Sequence, residues 1–376
     1  MSRLLLWHWG RRGGGPRYTL ELARALRDQG THDVHLSISR QCEIFDDLVA
    51  LDLPTHIINT YTDKVSAALS LFRLPAVRRD FRHYLSANRI ETVFCTLSHL
   101  WNIAMTPAIR QAEARYVLAL HEAVPHPGDN YFVREWMLAR EIAAADGIVT
   151  LTRHVRNQVH EVYGYPLDRT WMAPLGVFDY SLADKGRSFP VGRPMRLLFF
   201  GRILPYKGLD LLLRAFPILE REFPGIELTV VGSGDMTPYT RAVEQCKNIV
   251  IENQWIPEAN IGPVFDRADL VVVPYIEASQ SAVVVTAFAA GLPIVATPVG
   301  GLVEQVQHLE TGYVAREPSP EAVADAIRHL LQDPGLYVRC SENALRQAKE
   351  TLDWNVIGKL VADGLTQAAG KPFRTP

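Results

Sequence analysis

The chain has little cysteine, no long apolar run and almost no net charge. Its four cysteines, Cys42, Cys95, Cys246 and Cys340, stand far apart in 376 residues, which excludes the short spacings of zinc sites and redox motifs. The formal net charge is −2, so the composition gives no general attraction to nucleic acid. No apolar stretch approaches the roughly 20 residues that a membrane-spanning helix needs. These features predict a cytoplasmic globular protein with reduced thiols.

What the sequence does have is a buried strand followed by two cations. Leu197–Phe200 predicts the strand, Gly201 ends it, and Arg202 and Lys207 precede an apolar-periodic helix that begins at Gly208. Ligands of open α/β sheets bind at the carboxyl ends of strands, and a helix N-terminus attracts anions. Arg can hold a phosphate through two parallel hydrogen bonds, and Lys supplies a compact charge. The alternative is a pair of solvated loop cations.

Short apolar strands alternate with amphipathic helices twice along the chain, which predicts an α/β protein with two doubly wound, Rossmann-like domains. Strands are expected at 3–9, 33–39, 55–59, 91–97, 115–120 and 147–151, and then at 196–200, 227–231, 249–252, 270–274, 294–296 and 312–314. The predicted organisation is a first domain at 1–175, a linker at 176–194, a second domain at 195–352, and a C-terminal helix at 353–376 that can cross back to the first domain.

Two features of the first half point to ligands. Gly13-Gly14-Gly15 lies at a strand-to-helix turn, but a dinucleotide fingerprint would need a third glycine where Tyr18 stands. A turn that lets a ligand approach the backbone and a purely structural turn both stay open. His121 ends the strand at 115–120, where it can face a ligand or serve as a structural group.

A basic helix forms the third feature of the first half. Residues 63–87 are predicted to be mostly helical, with Pro75 as its start or a kink. Five arginines stand there against Asp80: Arg73, Arg78, Arg79, Arg82 and Arg89. Such a helix can lie on an anionic membrane, and it can equally be a core-facing helix with a solvated basic face.

The second half adds the remaining parts of an anion site. Gly232-Ser233-Gly234 closes a strand with a small turn. Ser279 or Ser281 is expected to cap a helix whose first amides, at 281–284, would complete a diphosphate cradle with the two cations. Glu277 is wrong for phosphate but suits two vicinal sugar hydroxyls; an ordinary exposed carboxylate is the alternative.

With these residues in view, the chain resembles the retaining GT-B glycosyltransferases of the family 4 and group 1 type, and among them the bacterial polysaccharide and glycolipid enzymes. The resemblance covers nearly the whole chain and is strongest at 195–315. It implies two Rossmann-like domains facing a central cleft. It also implies transfer of a hexose from a nucleoside-diphosphate sugar to a saccharide or lipid-linked acceptor, with retention.

The resemblance also assigns roles to residues. Arg202 and Lys207 would bind the donor diphosphate, Glu277 the hydroxyls of the donor sugar, and His121 that sugar near C6; these four are the predicted catalytic residues. The predicted donor-binding residues are Gly13, Gly14, Gly15, Gly201, Gly232, Ser233, Gly234, Ser279, Gln280, Ser281, Ala282, Val283 and Thr286. Thr286 stands where the family commonly has a ribose-binding Glu, and Glu277 lies nine residues before it rather than eight.

The expected partners are the nucleotide-sugar donor and its acceptor, with no nucleic acid and no cofactor. No metal is expected, because Arg202, Lys207 and the helix end supply the positive charge and no Asp-x-Asp motif is present. Peripheral contact with the inner face of the plasma membrane through 73–89 is the alternative to a purely cytoplasmic location. Three rival functions stay open: a sugar-nucleotide 2-epimerase, a dinucleotide oxidoreductase, which Tyr18 disfavours, and a non-catalytic nucleotide-sugar sensor, which Thr286 mildly favours.

Overall fold

A computed structural model describes residues 1–63, 66–67, 70–124, 131–180, 182 and 185–374, without the side chains of 131–133. The chain divides into two compact units, Met1–Pro174 with Trp354–Pro376, and Leu175–Asp353. Each unit contains one parallel sheet. None of the helices within the described residues is both long and apolar enough to cross a bilayer.

The sheet of the first unit has the strand order β3-β2-β1-β4-β5-β6-β7. Its strands are β1 Ser2–His8, β2 His32–Ser39, β3 Thr55–Ile58, β4 Thr92–Cys95, β5 Arg115–Leu120, β6 Gly147–Thr150 and β7 Thr170–Met172. Its helices are α1 Gly14–Gln29, α2 Phe45–Val49, α3 Leu74–Ala87, α4 Asn102–Gln111, α5 Tyr131–Ala144 and α6 Arg153–Tyr163, to which the C-terminal helix is added below. The edge strand β7 is absent from the sequence prediction, because three residues are too short to show a period.

The second unit has the strand order β10-β9-β8-β11-β12-β13. Its strands are β8 Arg196–Phe200, β9 Glu227–Val231, β10 Ile249–Glu252, β11 Leu270–Val273, β12 Ile294–Ala296 and β13 Gly312–Val314. Its helices are α7 Leu209–Glu222, α8 Thr240–Val243, α9 Ile261–Asp266, α10 Ala282–Ala289, α11 Leu302–Gln305, α12 Pro320–Gln332 and α13 Pro334–Glu350. The predicted pair of parallel α/β sheets is confirmed.

Burial explains why these sequences form central strands. Every residue of β11 is buried, as are Leu197, Leu198 and Phe199 in β8, because helices cover both faces of each sheet. In such a sheet the carboxyl ends of β8 and β11 are adjacent, since these two strands pair in parallel. The loops that leave them therefore lie side by side, and this arrangement positions the candidate site.

The last helix, α14 (Trp354–Ala369), packs on α1 and on strands of the first unit. Two glycines allow the close approach. A Cβ on Gly358 would lie 2.8 Å from Cβ of Ala25, and one on Gly364 would lie 3.2 Å from the Trp171 side chain. The chain thus returns to the first unit after completing the second.

Candidate functional site

The turn that follows β8 is locked to the turn that follows β9. The backbone amide of Gly201 donates to Val231, and that of Ile203 donates to Ser233, both at 2.9 Å. A Cβ on Gly232 would stand 1.8 Å from the Gly201 carbonyl oxygen, and only glycine is comfortable at its φ of +148°. These contacts fix the backbone on either side of Arg202.

The same turn is also joined to the segment that leaves β11. The Ile276 amide donates to the Tyr206 carbonyl at 2.8 Å. A Cβ on Gly208, whose φ is +66°, would stand 1.8 Å from the Pro274 carbonyl oxygen. At the other end of the turn, a Cβ on Gly201 would lie 3.8 Å from the Val283 side chain, in the first turn of α10. Glycine therefore brings the cationic turn against the start of α10.

The two cations of this turn have no carboxylate partner among the described residues. Arg202 is exposed and forms no ion pair, whereas other arginines of the unit, such as Arg187 and Arg328, are paired with acids. The ammonium of Lys207 lies 3.8 Å from the centre of the Tyr275 ring, a cation–π contact that holds the charge in place. Two positive charges without a carboxylate partner among the described residues thus stand in the turn that lies against the start of α10, and one of them, Lys207, is held by a ring contact.

The N-cap residue of that helix gives it no side-chain cap. Ser281 occupies the cap position, as predicted for Ser279 or Ser281, yet its hydroxyl pairs with the Tyr275 hydroxyl at 3.2 Å instead of a helix amide. The Ser281 amide donates to Gln305 Oε1 at 2.8 Å, so it does not contribute to a cradle. The amides at 282–284 receive no side-chain acceptor from Ser281. Unsatisfied first-turn amides are the usual basis of anion binding by helices.

Three further predicted residues line the same segment. Glu277 is half-buried and follows Ile276 directly. The side-chain oxygen of Gln280 is buried and accepts no hydrogen bond from the described part of the chain. The Thr286 hydroxyl donates to the Ala282 carbonyl at 2.9 Å, so towards a ligand it can act only as an acceptor.

The first unit contains His121, directly after β5. Its Nε2 lies 3.0 Å from the Thr96 carbonyl oxygen, which can only accept, so Nε2 carries the proton and Nδ1 keeps its lone pair. Burial lowers the pKa of His121, which keeps the ring neutral near pH 7. Tyr18 meets the ring edge-on at 5.1 Å. The result is a fixed, neutral acceptor suited to a sugar hydroxyl.

The glycine-rich loop combines open and packed positions. The Gly13 amide donates to Glu43 Oε1 at 2.7 Å, and a Cβ on Gly13 or Gly14 would meet nothing within 4 Å. A Cβ on Gly15, in contrast, would stand 2.8 Å from Cε1 of the buried His8. Gly15 is therefore required by packing, while the other two leave room for a ligand.

His8 lies under this loop as a buried, neutral imidazole. The Thr19 hydroxyl donates to the Gly15 carbonyl and lies 2.6 Å from the Thr96 hydroxyl, which is 3.3 Å from His8 Nδ1. This chain places the proton on Nδ1 and leaves Nε2 without a partner among the described residues. Burial above all, with His99 and His121 nearby, lowers the pKa of His8 to about 3.

Comparison with known families decides the chain's affiliation. A family model described as "Glycosyltransferase Family 4" matches residues 12–178, and one described as "Glycosyl transferases group 1" matches residues 194–333. Together they cover every strand of the two sheets except β1. The chain belongs to the family 4 and group 1 glycosyltransferases. The predicted resemblance is confirmed.

Individual proteins agree with this family 4 assignment. An uncharacterised glycosyltransferase of Methanocaldococcus jannaschii is 28% identical over 56% of this chain, and a D-inositol 3-phosphate glycosyltransferase of Xylanimonas cellulosilytica is 30% identical over 60%. The matched regions span only 57% and 58% of the lengths of these two relatives. Among solved structures, HepE of Anabaena in complex with UDP superposes with a TM-score of 0.75 at 18% identity, over 97% of this chain and all of the other. This similarity confirms the GT-B fold.

Three residues that hold the site in shape in this family 4 chain were not predicted from the sequence. Tyr275 lies under Lys207, Gln305 bonds the Ser281 backbone twice, and Asn253 bonds the Gly234 backbone twice, at 3.1 and 3.0 Å. No local motif identifies them. Gln305 and Asn253 bond residues that lie 24 and 19 positions away in the sequence, and Tyr275 contributes through a ring contact. Within the described residues, no three His, Cys, Asp or Glu side chains are grouped to hold a metal ion. Metal independence stays a prediction.

Proposed function

We propose that this chain transfers a hexose from a nucleoside-diphosphate sugar to a saccharide or lipid-linked acceptor, with retention and without a bound metal. The observation that supports this best is the pair Arg202 and Lys207, which have no carboxylate partner among the described residues and lie beside the uncapped start of α10. HepE of Anabaena has been crystallised with UDP and with UDP-glucose. Those complexes support a nucleoside-diphosphate sugar as the donor here.

In the proposed complex the diphosphate accepts hydrogen bonds from Arg202, Lys207 and the amides at 282–284. Each bond is charge-assisted, which makes it about twice as strong as a neutral one. Glu277 and the Gln280 side-chain oxygen would accept from hydroxyls of the donor, and the Thr286 oxygen would accept from the ribose. Because the cradle is fixed by backbone contacts, little reorganisation is needed as charge develops.

The reaction breaks the bond between the anomeric carbon and the phosphate oxygen and forms a bond from that carbon to the acceptor oxygen. The acceptor hydroxyl loses its proton to the leaving diphosphate, which departs as a nucleoside diphosphate. Arg202, Lys207 and the helix amides would stabilise the negative charge on that leaving group. Retention follows from the family resemblance, and proton transfer to the departing phosphate on the same face removes the need for a protein nucleophile.

The test begins with thermal shifts of the chain with UDP-, GDP-, ADP- and TDP-sugars. A ligand at 100 times its dissociation constant stabilises a protein by about 2.7 kcal/mol, which is readily measured. Arg202→Ala should abolish the shift, whereas Arg214→Ala, which removes an arginine paired with Asp210, should not. Near-normal turnover by Arg202→Ala would refute the cradle.

Product analysis separates transfer from the rival activities. The best donor is incubated alone and with a panel of saccharide acceptors, and the products are examined by NMR. Transfer should give a glycoside with the anomeric configuration of the donor. A 2-epimer formed from donor alone would favour the epimerase, and tight donor binding without any product would favour a sensor.

A further inference from the structure

One face of α3 carries a concentration of positive charge that the proposed transfer does not use. The basic face, as named here, consists of Arg78, Arg79 and Arg82 on α3, with Arg73 in the turn before the helix and Arg89 two residues after its end; all five are exposed. Arg82 follows Arg79 by three residues and Arg78 by four, so these three side chains are neighbours on the surface of the helix. Within 73–89 the only acidic residue is Asp80, in a chain whose overall formal charge is −2.

The opposite, apolar face of α3 fixes the orientation of the helix and therefore of its arginines. Phe81 and Leu85 are fully buried in the core of the first unit, and Leu74 and Val77 pack against that core. A helix held by this apolar face cannot rotate without exposing two large apolar side chains to water. The arginines therefore point away from the unit.

The positive charge of this face is not compensated from within the described residues. Asp80 is engaged by His56, whose Nε2 lies 3.1 Å from the carboxylate. Arg82 donates to the neutral side-chain oxygen of Gln111 at 3.0 Å. Arg78 and Arg79 form no ion pair with any described residue, and the same holds for the other two arginines of the face. A surface depression runs along the helix, lined by Ala76, Arg79, Asp80, Arg82, His83 and Ser86.

An exposed apolar pair precedes the basic face. Leu71 and Phe72 lie in a short 3₁₀ turn directly before α3, and they are 56% and 87% exposed. An exposed phenylalanine beside a row of arginines is the combination by which an interfacial helix inserts apolar groups while its cations meet headgroups.

We infer that Leu71, Phe72 and the basic face of α3 form a docking surface for a bilayer of anionic phospholipid. Charge complementarity favours an anionic membrane as the partner, because each arginine near such a surface contributes about 1 kcal/mol to binding. The exposed aromatic side chain favours a membrane over a soluble polyanion, because only the membrane offers an apolar region in which it can be buried. The inference stands on the first unit alone and does not depend on the proposed transfer.

The test is flotation of the full chain with vesicles of 70% phosphatidylcholine and 30% phosphatidylglycerol, against vesicles of pure phosphatidylcholine. Binding is expected to the anionic vesicles only and should fall steeply with added NaCl. The double variant Arg78→Gln/Arg79→Gln should bind about 25-fold more weakly, at roughly fivefold per charge. Phe72→Ala should weaken the binding that remains at high salt.

Arg24→Gln/Arg27→Gln is the matched control, because those arginines lie on α1 and are already paired with Glu21 and Asp28. It should bind vesicles like the wild type. Circular dichroism melting of every variant verifies the fold. Equal binding to neutral vesicles, unchanged binding by the Arg78/Arg79 variant, or binding to heparin without binding to vesicles would each overturn the inference.

Discussion

Replacing Lys207 by alanine tests the centre of the proposed site. In the ligand-free protein its ammonium lies over the Tyr275 ring at 3.8 Å, and no carboxylate among the described residues pairs with it. Because Tyr275 is buried and Lys207 is half-buried, loss of this cation–π contact costs about 1–2 kcal/mol. A change of that size should lower the melting temperature of a unit this large by about 2–8 °C.

Ligand binding should be weakened more than the fold. A hydrogen bond to a charged group contributes about 1.5–3 kcal/mol, and each 1.4 kcal/mol is a factor of ten, so the dissociation constant for UDP should rise about 10- to 150-fold. Isothermal titration calorimetry with UDP measures this directly. Lys207→Arg keeps the charge and should lose less.

Lys247→Ala is the control for general loss of charge, since Lys247 is exposed and precedes β10 at the opposite end of the sheet. Its UDP affinity should match that of the wild type. Wild-type UDP affinity in Lys207→Ala would show that the ammonium does not touch the diphosphate, and the reasoning from its unpaired charge would be wrong. If the wild-type chain itself bound no nucleoside diphosphate, the donor proposal as a whole would fail.

Three further changes have defined outcomes. Gly208→Ala should cost at least about 1–3 kcal/mol of stability and abolish UDP binding, because its Cβ would stand 1.8 Å from the Pro274 carbonyl oxygen at a φ of +66°. An unchanged melting temperature would contradict this contact. Thr286→Val keeps the shape of the side chain but removes the hydroxyl, so the affinity for UDP should fall about tenfold, the value of one neutral hydrogen bond. Unchanged affinity would mean that the Thr286 hydroxyl serves only its bond to the Ala282 carbonyl. His8→Gln should reduce the fall in the free energy of unfolding at acid pH. The folded imidazole, with a pKa of about 3, stays neutral while the unfolded one is protonated below 6.5, so His8 should account for about 1.6 kcal/mol of the stability that the wild type loses between pH 6.5 and 5. An equal fall of the urea midpoint in the two proteins over this range would refute this.

The sequence by itself determined the two parallel sheets and the place of the cationic turn. A short run of β-branched residues such as Val271–Val273, ended by Pro274, predicts a strand buried on both faces, and glycine at 201 and 208 marks where the chain can turn tightly. Because both signals are local, each could be recognised without knowing what packs against it. The same holds for Arg78, Arg79 and Arg82 of α3, which helix geometry alone makes neighbours.

Tertiary structure alone decided which donors and acceptors of the site already have hydrogen-bond partners within the protein. Ser279 or Ser281 was expected to cap α10. Ser281 holds the cap position, yet Tyr275 and Gln305 bind its hydroxyl and amide, and the first-turn amides that follow receive no cap from it. Likewise, only the Thr96 carbonyl shows that His121 keeps its lone pair on Nδ1. Hydrogen-bond partners are chosen by proximity in space between residues distant in sequence. A spacing pattern can name the residues of a site, but it cannot show which of their donors and acceptors remain for a ligand.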